Sequence, residues 1–151
     1  METKAIYFDM DGTIADLYGV DGWLEMLRAY DETPYEQAKV MLNMSYLARL
    51  LNTLQKQGYK IGIVSWLSKC PQPAFDLFVT NAKYGWLHKH LKSVHFDEIK
   101  IVAHGTPKSQ AVLYGGGILF DDEQGNRNEW KGQAYDEKNI LEILKKLSKN
   151  A

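Results

Sequence analysis

Lys4-Ala5-Ile6-Tyr7-Phe8-Asp9-Met10-Asp11-Gly12-Thr13 is the stretch on which the reading of this chain turns. A short apolar run enters an aspartate, a second aspartate follows two residues later, and Gly-Thr breaks the pattern. Such a run, bounded by turn residues, reads as a buried strand of a parallel sheet, here the first and central one. Three more stretches carry reactive side chains. Lys60 to Val64 runs into Ser65. Glu98 to Ala103 is followed by the loop His104-Gly105-Thr106, then Pro107 and Lys108 in the first turn of a short helix. Ile118 to Phe120 runs into Asp121-Asp122. In an open parallel sheet the carboxyl ends of the strands form the ligand crevice, so one edge of one fold would gather several carboxylates, a hydroxyl and a lysine.

Between these strands the pattern is helical. Thr33-Pro34-Tyr35-Glu36 has the form of a capping box with proline at the first helical position. Val40, Met41, Met44, Leu47, Ala48, Leu51 and Leu54 recur at helical spacing up to Gly58, which predicts one helix over 33–58. A second helix starts near Pro71 and Pro73 and runs to about Leu91. Gly115-Gly116-Gly117 is a flexible connection before the fourth strand, and Gln133 to Tyr135 adds a short edge strand. Asp136 caps a last helix whose stripe is Ile140, Leu141, Leu144 and Leu147. The alternation predicts a three-layer α/β domain, a Rossmann-like parallel sheet over residues 1–151. Residues 12–33, with Gly12, Gly19 and Gly22, read as a flap or mini-cap with a short helix.

The chain has 151 residues, 45% hydrophobic and 25% charged, which suits one soluble globular domain and no more. A net charge of −1 supplies no general attraction to nucleic acid or anionic membrane. No apolar run approaches the ~20 residues needed to cross a bilayer. Met1-Glu2-Thr3-Lys4 lacks the organisation of a signal peptide, and Cys70, the single cysteine, cannot form an internal disulfide. A cytoplasmic location is the expectation.

The residue types point to phosphoryl transfer. An aspartate at a strand end, Asp9, can attack phosphorus as a nucleophile. Asp11 can protonate the leaving oxygen and later deprotonate the attacking water. Two carboxylates repel a dianionic phosphate, so a divalent cation is required, and Mg²⁺ takes carboxylate, water and phosphate oxygens. Asp121 or Asp122 can supply a further ligand to it. Ser65 and the backbone amides around Gly12 and Thr13 can bind phosphoryl oxygens, and Lys108 can neutralise charge in the transition state.

Asp9-Met10-Asp11-Gly12-Thr13, Ser65, Lys108 and Asp121-Asp122, in that order, resemble the four motifs of the haloacid dehalogenase-like hydrolase superfamily, phosphatase branch, with most likeness to its small-cap, deoxyribonucleotidase-like members. The resemblance implies Asp9 as nucleophile and Asp11 as general acid/base. It also implies Mg²⁺ on the Asp9 side chain, the Asp11 carbonyl and one fourth-motif aspartate: Asp121 is favoured, with Asp122 behind it or bonded to Lys108, and the reverse assignment stays open because the sequence does not fix which side chain points inward. Asp11 argues for phosphate esters over haloacids. Trp66, where small residues are frequent, would narrow the pocket or offer a stacking surface.

The expected activity is a Mg²⁺-dependent phosphomonoesterase for a small phosphorylated substrate, a nucleotide first. A polynucleotide-end phosphatase, a sugar-phosphate phosphatase, a phosphotransferase and a non-catalytic phosphate-binding module are the alternatives. Tyr18, Trp23, Arg127, Asn128 and Trp130 are further candidates for substrate contact, with packing as the competing role. His88, His90, His95 and His104 lack a metal-ligand spacing.

Overall fold

The computed structural model describes residues 3–149; the two residues at each end of the expected 1–151 domain, including the first two of Met1-Glu2-Thr3-Lys4, lie outside the described residues. Five parallel strands form the main sheet in the order β5-β4-β1-β6-β7. They are β1 (Ala5–Phe8), β4 (Lys60–Trp66), β5 (Glu98–Val102), β6 (Ile118–Phe120) and β7 (Ala134–Tyr135). β1 is central and buried along its length, because residues pack against both faces of the sheet.

Register decides what meets at the sheet edge. Phe8 pairs with Ile63 on one side and with Phe120 on the other. The residues just beyond, Asp9 and Asp121, therefore emerge level with one another, and the Asp9 amide donates to the Phe120 carbonyl at 2.9 Å. Ser65 lies two residues past Ile63 on the neighbouring strand.

Alternate side chains serve opposite faces. Ile6, Phe8, Ile61, Ile63 and Phe120 pack with Leu47, Leu51 and Leu54 of α3 (Met44–Lys56), Trp86 and Leu87 of α4 (Pro73–His90), and Ile140 and Leu144 of α7 (Ile140–Lys149). Tyr7, Val64 and Leu119 face the other way against Trp130, with Ala111 of α5 (Lys108–Ala111) packed beside them and α6 (Gln124–Glu129) leading into Trp130. α4 starts as expected, with the Gln72 side chain accepting from the Phe75 amide. Asp136 differs slightly: its carboxylate caps a turn by accepting from the Lys138 amide at 2.9 Å, ahead of α7.

The helix expected over 33–58 is two helices with a strand between them. α2 (Thr33–Gln37) is followed by β3 (Lys39–Val40), which pairs antiparallel with β2 (Ala15–Asp16). The Met41 amide donates to the Ile14 carbonyl, and the Trp86 indole donates to the Ala38 carbonyl. These tertiary bonds override a helical stripe that was apolar but not buried, since Val40 and Met41 are exposed. α3 then starts afresh with Asn43, whose side chain accepts from the Tyr46 amide. Thr33 is helical rather than capping, and its amide and hydroxyl donate to Asp31. Gly58 follows α3 with φ +101°, the left-handed conformation that ends a helix most easily at glycine.

The small β2–β3 pair, a 3₁₀ turn over Leu17–Gly19, α1 (Trp23–Arg28) and α2 form the flap. Leu17, Leu27 and Tyr35 pin it to Phe75, Val79 and Ala82 of α4. Among the described residues no helix is long and apolar enough to cross a membrane.

Candidate active site

Asp9 is buried at the end of β1, and Lys108 donates to it at 2.9 Å and to Asp121 at 2.7 Å. Burial disfavours the Lys108 ammonium, but the two carboxylates outweigh it and hold the group above the ordinary lysine range. Pro107 precedes α5, so Lys108 enters the site from the first helical position. The Thr13 hydroxyl lies 3.0 Å from Asp9 Oδ2 and 3.2 Å from Asp122 Oδ1, and it accepts from the Asp122 amide. Gly12 lies in the left-handed region, φ +79°, and a Cβ there would collide with the Asp122 carboxylate and sit 2.9 Å from Tyr18 Cε2. Glycine at this position is therefore needed for conformation and for space.

Lys108 bonds Asp121 and not Asp122, so the sequence expectation for this pair is exchanged in part. Asp121 is fully buried, and both its oxygens are engaged: Oδ1 by the Glu123 amide, Oδ2 by Lys108 and by the Asn126 amide group. Arg127 donates to the Asp121 carbonyl at 2.8 Å. Asp122 is less enclosed, and its carboxylate accepts from the Thr13 hydroxyl.

Oxygens of Asp9, Asp121 and Asp122 lie within 4.8 Å of one another. Burial, and then the charge of Asp9, push both Asp121 and Asp122 above the usual carboxylate range. Three hard oxygen donors gathered this closely, under mutual repulsion, fit a small divalent cation.

A second lysine was not foreseen. Lys83, in the middle of α4, is 1% exposed and donates to Asp11 Oδ2 at 2.9 Å, Ser65 Oγ at 2.7 Å and the Trp66 carbonyl at 2.7 Å. The Tyr35 ring covers it at 4.9 Å. Its sequence signal is a charged residue within the buried stripe Phe75, Val79, Ala82, Trp86, where lysine is almost never placed unpaired. Burial raises the Asp11 carboxyl, Lys83 opposes the shift and Asp9 adds to it, and the net direction is upward.

A cavity of about 480 Å³ opens over these groups. Asp9, Asp11 and Lys108 line its floor; Trp66, Leu67, Ser68, Lys69 and Cys70 form one wall; Leu17, Tyr18, Trp23, Leu24, Leu27 and Arg28 of the flap form the roof. Trp66 is fixed by donating to the Thr106 carbonyl and lies against His104 and Lys108. Tyr18 and Trp23 pack edge to face at 5.0 Å. Gly12, Thr13 and Ser65 are buried behind this lining, where the two hydroxyls serve the carboxylates and Lys83. Trp130 is a core residue stacked edgewise on Tyr7, and Asn128 is exposed away from the cavity, whereas Asn126, not singled out in the sequence, does line it. His88, His95 and His104 are exposed, and His90 lies against Trp86.

No protein-family model matches the sequence. No curated protein matches it either. Solved structures do. D,D-heptose 1,7-bisphosphate phosphatase from B. bronchiseptica, complexed with magnesium and phosphate, superposes with a TM-score of 0.62 at 15% identity, covering 98% of this chain and 99% of that one. The phosphatase of the same name from Burkholderia thailandensis gives 0.59 at 14%, covering 95% and 97%. A HAD-like protein from Mesorhizobium loti gives 0.60 at 13%, covering 99% and 87%. The fold is haloacid dehalogenase-like. The likeness spans nearly the whole chain.

Proposed function

We propose that the chain is a Mg²⁺-dependent phosphomonoesterase that works through a phosphorylated Asp9. The observation that carries this reading is Asp9 itself. It is a buried strand-end carboxylate, clamped by Lys108, beside Asp121 and Asp122, on the floor of a cavity large enough for a small ester. The phosphatases of like fold, one of them solved with magnesium and phosphate, lend support.

In the first half-reaction an Asp9 oxygen attacks phosphorus, the ester P–O bond breaks, and Asp11 gives its proton to the leaving alkoxide. In the second, Asp11 takes a proton from water, the water oxygen bonds phosphorus, and the Asp9–phosphorus bond breaks to release inorganic phosphate. The upward shift of Asp11 suits a group that must be protonated in the first step. Lys108 opposes charge growing on the phosphoryl oxygens. Asp9, the Asp11 carbonyl and Asp122 would hold Mg²⁺, with Asp121 orienting Lys108, because Asp121 already has donors on both oxygens. The cation would screen the phosphate from the carboxylates. Thr13 orients Asp9, Ser65 supports Lys83, and the Gly12 turn leaves room for Asp122.

The roof and wall are mainly apolar and aromatic, with Arg28 and Lys69 as cations. This lining suits a leaving group with a flat ring better than a bare polyol, which favours a nucleoside monophosphate. Phosphate release is to be measured from nucleoside monophosphates, sugar phosphates and an aryl phosphate, with Mg²⁺, with chelator and in Asp9→Asn. Mg²⁺-dependent release lost in Asp9→Asn supports the reading; release that survives Asp9→Asn sinks it.

A further inference from the structure

We infer that Lys83 is a positioning residue for the general acid/base, holding Asp11 in the orientation that delivers its proton. The inference rests on the phosphatase reading above. Lys83 has three N–H bonds to give, and three acceptors take them: Asp11 Oδ2, Ser65 Oγ and the Trp66 carbonyl. Two of those acceptors belong to the end of β4, which is built into the sheet, so the ammonium is fixed in place by rigid backbone. The Tyr35 ring above it and its 1% exposure exclude water as a competing partner. The remaining bond reaches one oxygen of Asp11 and leaves Oδ1 for the cavity that Asp11 lines.

Asp11 lies beyond the end of β1, in the turn toward Gly12, and the bond from Lys83 is what fixes its carboxylate there. Lys108 does not supply this tether: it is held by Asp9 and Asp121, and the bond to Asp11 comes from Lys83. The two ammonium groups thus divide the first motif between them: Lys108 secures the attacking carboxylate and Lys83 the proton-carrying one. Ser65 belongs to the second arrangement, as the acceptor that steers Lys83 toward Asp11.

The test separates steps that need Asp11 from one that does not. Lys83→Met is compared with the wild type in three rates: phosphorylation of the enzyme by 2,4-dinitrophenyl phosphate, phosphorylation by an unactivated alkyl monophosphate, and hydrolysis of the acid-quenched phosphoenzyme. Dinitrophenolate leaves without a proton, so the first rate should fall less than threefold, while the other two fall about 100-fold. Lys83→Arg, which keeps a charged donor, should regain at least tenfold in hydrolysis over Lys83→Met. If all three rates fall by one factor, Lys83 is structural and the inference is overturned. If Lys83→Met does not fold, Lys83→Gln carries the same comparison. A wild-type protein that forms no phosphoenzyme overturns the phosphatase reading itself, and the inference with it.

Discussion

Two buried lysines face each other across the Asp9–Asp11 turn, and they reach it by different routes. Lys108 begins a four-residue helix after a loop, and its partners Asp9 and Asp121 lie at the ends of adjacent strands. Lys83 stands in the middle of an 18-residue helix and meets Asp11 from 72 residues away. The first sits where a short helix aims a side chain at the sheet edge. The second occupies a position that should belong to a leucine. Burying an ammonium there is tolerable only because three acceptors saturate it. The comparison teaches that a site of this kind is built from the loops at the strand ends and also from the helix packed beneath them.

The hardest way to break the Lys108 side is Asp9→Asn, which removes the proposed nucleophile; phosphate release should drop about 10⁵-fold while the circular dichroism spectrum is kept. Lys108→Met should lower kcat about 10³-fold. It also leaves Asp9 and Asp121 buried without their counter-charge, at a cost of about 3–5 kcal/mol in urea unfolding. Added Mg²⁺ should restore more stability to this variant than to the wild type, and equal gains would argue against a cation among these carboxylates.

The acidic cluster has a pH signature of its own. Unfolded, its carboxylates titrate near ~4; folded, Asp122 is pushed up to about 8 and Asp121 is also raised. The native state therefore binds more protons through that window, so the metal-free protein should lose stability as pH rises from about 4 to 8. A fall in Tm of about 5 °C is expected, abolished by millimolar Mg²⁺. A flat profile without metal would show that the three carboxylates do not repel one another as packed.

Smaller effects sharpen the Lys83 side. Ser65→Ala removes one of three acceptors, and about a tenfold loss in kcat with little change in KM is expected. A loss confined to KM would place Ser65 in contact with substrate instead. Trp23→Ala on the flap should raise KM for a nucleotide about tenfold and leave an aryl phosphate nearly unaffected.

The central strand, its flanking strands, the sheet-edge crevice and the residues Asp9, Asp11, Asp121 and Asp122 were legible from apolar runs ending in reactive side chains, and Lys108 from the Pro107 helix start after the third run. Those signals are local, because a buried parallel strand must be apolar throughout and its reactive groups must wait for its end. The single helix over 33–58 was misread for the opposite reason. Its stripe has helical spacing, but Lys39 and Val40 are claimed by β2, which lies some two dozen residues earlier, and periodicity holds no record of that pairing. Lys83 was missed because a lysine in a helix is ordinarily solvated, and only packing shows that this one is not.

By itself, then, the amino-acid sequence determined the sheet and the order of its reactive strand ends, since each depends on neighbours a few residues apart. Tertiary structure alone decided that Lys108 pairs with Asp121 and leaves Asp122 less constrained, that Thr13 and Ser65 stand behind the cavity, and that Lys83 holds Asp11. Those outcomes depend on strand register and on the packing of α4 against the flap, where a shift of one residue in a strand would turn its side chains away from their partners.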